Sequence, residues 1–177
     1  MRYFLFFLLL LSGHVFGQTS LYSLQIQTID GKTISLANFK EKKIIFSVAS
    51  PDKLHSKKFN FLDSVLVANP HVVVVVIPAE DFSGNSISGL LANIKNSASP
   101  RLVVMGSAKV KKDKRAEQNE LMRWLTDTTH NNHFNADVKT DDQLYIVSES
   151  GILYSVLEKG VSLATLNDIL KQADIKQ

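Results

Sequence analysis

The sequence predicts an α/β fold: a mixed central sheet flanked by helices, with a β-hairpin ahead of it. Three observations carry this prediction. Two β-branched runs, KIIFSVA and HVVVVVIP, are separated by a segment of helical spacing. A strand–helix–strand unit of this kind forms a parallel pair with a right-handed crossover. Two strand-like segments around a turn signal near the C-terminus add an antiparallel hairpin, and an amphipathic segment behind them supplies a covering helix.

The elements follow in order. MRYFLFFLLLLSGHVFG, residues 1–17, has a positive Arg2, an apolar run from Tyr3 to Leu11, and small Val15 and Gly17 at the −3 and −1 positions. That is the grammar of a secretory signal peptide, and the run is too short for a membrane span, which takes ~20 residues. One domain, residues 18–177, is expected after it, in an exported protein of a periplasm or the extracellular space. LYSLQIQ alternates, Asp30-Gly31 signals a turn, and Thr33 to Leu36 resumes the alternation, predicting the first hairpin. Lys43 to Ala49 and His71 to Pro78 alternate little and are expected to be buried on both faces. Between them, Leu54, Phe61, Leu62, Val65 and Leu66 predict a helix over 53–68, capped by Ser50 and stopped by Asn69-Pro70.

The second half is read in the same way. A short helix is expected at 87–95, a strand at 101–105 and a helix at 117–126 with Leu121, Trp124 and Leu125 inward. A polar loop is expected over 127–142. Strands at 143–147 and 152–157 flank the turn SESG. Ser162 caps a last helix with Leu163, Leu166, Ile169 and Leu170 on its inner face.

Composition removes several function classes. The chain has no cysteine, so thiol redox chemistry, Cys-ligated metals and iron–sulfur clusters are excluded. Stability must come from packing. The net charge of +3 is too small to argue for nucleic acid. KVKKDKR at 109–115 reads as a solvated loop. In sheets of this type, sites gather beyond the C-terminal ends of the parallel strands. Here those ends are Ser50-Pro51-Asp52 and Ala79-Glu80-Asp81.

Four stretches bear on ancestry. LYSLQIQTIDGKTISLANFKEKKIIFSVAS opens with an IDGK-type hairpin leading to a strand ending VAS, and IPAEDFSG is similar to the pattern FPCNQFGG. NELMRWL is similar to HPLYKWL, and DDQLYIVSESGILYSVL takes the place of WNFEKFLIDKDGKVVKRY. In this order and spacing the chain resembles the glutathione peroxidases, a branch of the thioredoxin-fold proteins, from about Leu21 to Asp174. The resemblance implies a thioredoxin-like fold and a peroxide-reducing ancestor. It also implies where the machinery stood. The family's Cys or Sec lies two residues after the VAS serine, where this chain has Asp52. Its Gln matches Asp81, and its Trp-Asn pair falls at Thr140-Asp141 when the C-terminal strands are aligned without a gap. The resemblance thus describes a degenerate member with all four active-site residues replaced.

The replacements are acidic. The fold is expected to gather Asp52, Asp81 and Asp141, with Glu80 and Asp142 nearby. Two carboxylates ~5 Å apart repel by roughly 3 kcal/mol at an effective dielectric of 20. They avoid one another in water, share a proton, or hold a hard cation such as Ca²⁺ or Mg²⁺. The simpler expectation is a solvated cluster with Lys53, Lys57 and Lys58 as counter-charge and no cofactor or metal. Asp52, Glu80, Asp81 and Asp141 are the residues expected to bind. His130, His133 and Asp137 form a metal-ligand pattern inside a polar loop, and His55 beside Asp52 suggests an acid–base pair.

Two readings of function remain open. One is an exported binding or scaffold module without thiol peroxidase activity. It would use the former active-site face toward an unknown protein partner or small ligand. The alternative is an enzyme with residual peroxide-related or repurposed carboxylate-dependent activity. A structural subunit of an envelope assembly is a third.

Overall fold

β3 (Lys43–Ala49) and β4 (Val72–Pro78) form the centre of the molecule, and every residue of both strands is buried. They pair in parallel over their full length, from Lys43 opposite Val72 to Ala49 opposite Pro78. The computed structural model describes residues 19–54, 56–82, 99–158 and 161–172. The expected signal peptide, His55 and the helix expected at 87–95 lie outside these residues.

Strand order in the main sheet is β5-β4-β3-β6-β7. β5 (Leu102–Val104) runs parallel to β4, whereas β6 (Leu144–Val147) pairs antiparallel with β3 and β7 (Leu153–Leu157) antiparallel with β6. β1 (Gln25–Gln27) and β2 (Thr33–Ser35) form the separate N-terminal hairpin, with Ile26 opposite Ile34. A backbone bond from Ile29 N to the Val104 carbonyl, 3.0 Å, and one from Gly106 N to the Gln27 carbonyl, 2.9 Å, lay this hairpin along the β5 edge.

The pleat sends alternate residues of β3 into two cores. Ile44, Phe46 and Val48 join Val73, Val75 and Ile77, and meet Leu121, Trp124 and Leu125 of α2 (Glu120–Thr126) and the hairpin's Ile26. Ile45 and Ala49 face the other way, toward Phe59, Leu62, Val65 and Leu66 of α1 (Ser56–Ala68) and Leu166 and Leu170 of α4 (Leu163–Leu170). Burying a Val, Leu or Ile side chain contributes about 1.5–3 kcal/mol, so this double-sided filling is the main source of stability in a cysteine-free chain.

Several expectations are met in detail. Ser162 accepts from Thr165 N at 3.1 Å and caps α4. Asn69 ends α1, its side-chain amide donating back to the Val65 carbonyl at 2.8 Å. Gly151 sits in the SESG turn with φ +85°, and a Cβ there would lie 2.7 Å from the Tyr22 ring. The turn therefore needs glycine both for its backbone and for that contact.

Other boundaries differ. The expected helix over 53–68 breaks into a 3-10 turn at Pro51–Lys53 and α1, because Leu54 adopts φ −78°, ψ 70° between them. Ser50 does not cap a helix; its hydroxyl donates to the Phe82 carbonyl at 3.2 Å. The expected helix at 117–126 starts only at Glu120, where Asn119 accepts from Leu121 N at 3.0 Å. A 3-10 stretch, Lys112–Glu117, precedes it, and the polar loop contains the short helix α3 (Thr128–Asn131).

Candidate functional site

Parallel pairing brings the ends of β3 and β4 to the same edge of the sheet. Ala79 N donates to the Ala49 carbonyl at 2.8 Å, so the two chains leave the sheet side by side. Each then enters a 3-10 turn: Pro51–Lys53 after β3, Glu80–Phe82 after β4. The Ser50 to Phe82 bond laces the turns together. This is the edge on which the sequence placed its candidate residues.

Asp52 is exposed on the first turn. Asp81, on the second, has turned inward. Its side chain is only 2% exposed, accepts from Val110 N at 2.5 Å and Lys111 N at 3.3 Å, and lies 3.8 Å from the Lys114 ammonium. Glu80 accepts from the Ser107 hydroxyl at 2.7 Å. Asp141 accepts from Lys53 at 2.6 Å, and that bond raises the Lys53 pKa above its ordinary value. Asp142 pairs with Lys58 at 3.1 Å. Thr140 keeps a buried hydroxyl with no hydrogen-bond partner among the described residues.

The acids expected to gather at this edge, Asp81, Glu80, Asp141 and Asp142, are each committed to a separate donor. Among the described residues, no three His, Cys, Asp or Glu side chains gather closely enough to hold a metal ion. Asp137, third member of the supposed His130–His133 pattern, instead accepts from Lys112 N at 2.9 Å and Val138 N at 2.8 Å. Its carboxylate ties loops together.

Trp124 is buried as expected, and its indole N–H donates to the Thr19 carbonyl at 2.7 Å; Met105 and Met122 are buried as well. A buried polar group escaped the sequence reading. Gln143 accepts from Lys139 N at 2.9 Å and donates to the Tyr145 hydroxyl at 2.8 Å and to the Asp137 carbonyl at 3.2 Å. Burial pushes the Tyr145 pKa well up, and the nearby Asp137 charge adds to the rise. The only sequence signal was a lone glutamine at the mouth of an apolar strand.

Chemically, the edge presents a surface carboxylate at Asp52, a structural carboxylate at Asp81 and a set of ion pairs. It offers no thiol on which a peroxidatic sulfenic-acid cycle can run.

No protein-family model matches the sequence, and no curated protein matches it. Solved structures do. Over 87% of this chain and 94% of the other, the fold matches the apo crystal structure of Trgpx with a TM-score of 0.65 and 15% identity. The chain has a thioredoxin-like fold. GPX1 of T. cruzi matches with a TM-score of 0.58 and 16% identity, over 86% of this chain and 94% of that one. A secreted Mycobacterium tuberculosis disulfide oxidoreductase homologous to E. coli DsbE matches at 0.55 and 12%, over 84% and 95%. At these identities the likeness is one of fold. Among the described residues, no helix is long and apolar enough to cross a membrane.

Proposed function

We propose that this thioredoxin-like domain is an exported, degenerate relative of the glutathione peroxidases that lacks thiol peroxidase activity and acts as a binding module through its former active-site face. The observation that carries the reading is the thiol-free edge. Asp52 stands where the resemblance puts the peroxidatic Cys or Sec, and the chain has no cysteine anywhere to substitute for it. A peroxidatic thiolate must accept oxygen as a sulfenic acid and be reduced again. A carboxylate has no comparable cycle.

Two further features support the reading. Asp81, at the position of the family's glutamine, is committed to Val110 and Lys111 and does not face a nucleophile. Lys53, next to Asp52, is held by Asp141 in an ion pair. The edge is thus rebuilt as a charged, hydrogen-bonded surface. Export is supported by the N-terminal pattern of residues 1–17 and by neighbours in fold that are secreted proteins.

The test is peroxide consumption by the mature chain, with glutathione or thioredoxin as reductant. The expected rate is that of the protein-free blank, unchanged in Asp52→Ala. Saturable turnover that Asp52→Ala removes would favour the enzyme reading instead.

A further inference from the structure

α1 opens against its own electrostatics. The first turn of a helix favours acids, because its free N–H groups carry partial positive charge. Here that turn holds no acid, and Lys57 and Lys58 stand in it. Lys58 is answered by Asp142 at 3.1 Å, and Lys53, just upstream, by Asp141 at 2.6 Å. Lys57 is exposed and has no ion-pair partner among the described residues. A local rule broken without a local compensation is where a ligand is to be sought.

All three lysines line one groove of about 360 Å³, within the usual size range of small-molecule sites. Its floor is apolar: Leu144 is buried, and Phe61 and Val161 are half-buried. With Lys53 paired to Asp141 and Lys58 to Asp142, the Lys57 ammonium is the one lining the groove without an ion-pair partner among the described residues, and it stands above an oily floor. A neutral lipid would leave Lys57 unmatched, and a dianion would meet Asp142 in the same groove.

We propose that the groove binds a small organic monoanion with an unbranched apolar body, that is, a medium-chain carboxylate. The carboxylate sits at Lys57, and the chain lies along Phe61, Leu144 and Val161. The groove shares Lys53 with the turn of Asp52, so the proposal names a ligand class for the module described above and rests on that reading for its place in function.

Octanoate and 1-octanol are the probes, titrated calorimetrically into the purified mature chain. Octanoate is expected to bind saturably at one site and more tightly than 1-octanol. Lys57→Gln, at an exposed position, is expected to weaken octanoate by about three- to fivefold and leave 1-octanol unchanged. Phe61→Asp is expected to abolish both, with the circular dichroism spectrum of each variant unaltered. Absence of saturable octanoate binding at millimolar concentration overturns the proposal. So does equal binding of the two probes that is indifferent to Lys57→Gln. Peroxide consumption measured on the same samples separates the claims: no binding and no turnover removes the ligand alone, whereas binding with turnover removes the inactive-redox reading.

Discussion

Asp81 shows how one residue's role is set from a distance. Its partners, the N–H groups of Val110 and Lys111, lie 29 and 30 residues downstream. EDF in the sequence shows an acid after a buried strand, but nothing in its vicinity shows which way the acid turns. The sequence puts Asp81 just past a buried strand, where it lies, and carries no sign of its distant partners. Charge-assisted hydrogen bonds contribute about 1.5–3 kcal/mol, so Asp81→Ala is expected to lower stability by about 2 kcal/mol in urea denaturation. Asp81→Asn keeps one acceptor and should lose about half as much. Tyr145 belongs to the same scale. Its folded pKa is raised by burial, so the neutral hydroxyl favours the fold below the ordinary tyrosine value of about 10, and this contribution is lost as pH rises beyond it. Stability followed by denaturation from pH 8 to 11 should fall less steeply in Tyr145→Phe than in the parent chain. An identical slope would remove Tyr145 as a source of the alkaline loss.

At the scale of elements, what is local in origin was legible and what is long-range was not. The valine run of β4, the alternation of β1 and β2, the Ser162 cap and the Asn69-Pro70 stop all act within a few residues, and each appears as read. The early start expected for α1 failed because Leu54 leaves the helical region. The Ser50 cap failed because its hydroxyl found the Phe82 carbonyl, 32 residues away. Arg101 was read only as the start of a strand. Its guanidinium in fact closes the C-terminal end of α1, donating to the Leu66 carbonyl at 2.7 Å, the Asn69 carbonyl at 2.8 Å and the Val72 carbonyl at 3.1 Å. The Leu66 carbonyl is one of the last four of α1, which a helix leaves without an intrahelical partner. Asn69 follows the helix and Val72 opens β4, so Arg101 ties the end of α1 to the strand, and a cation there also suits the macrodipole. Arg101→Ala is expected to cost about 2–3 kcal/mol of stability and to increase amide hydrogen exchange in the last turn of α1. Exchange that rises evenly across the molecule would argue against this local role.

Across the whole molecule, the order of elements dictated the architecture. A buried strand, a helix and a second buried strand give the parallel pair β3–β4, and a late hairpin can only extend such a sheet as the antiparallel β6 and β7. The two-faced burial of the centre then needs cover on both sides, which α1 and α4 supply on one face and α2 with the N-terminal hairpin on the other. That frame fixes an edge where Asp52, Glu80 and Asp81 leave the sheet. It does not fix what the edge does, because pairing among side chains from 50–53, 80–82, 107–111 and 141–142 is decided after the chain has closed. Lys43 illustrates the same closure. Buried at the start of β3, it donates to the carbonyl of Leu170, 2.9 Å away, and to that of Gln172, holding the end of α4 on the sheet.

A thioredoxin-like frame without a cysteine is expected to run no thiol peroxidase cycle. Steady-state hydrogen peroxide consumption by the purified, metal-free protein, with glutathione and then thioredoxin as electron donor, tests this. The rate is expected to be indistinguishable from buffer at every peroxide concentration. A rate proportional to protein concentration and saturable in peroxide would contradict it.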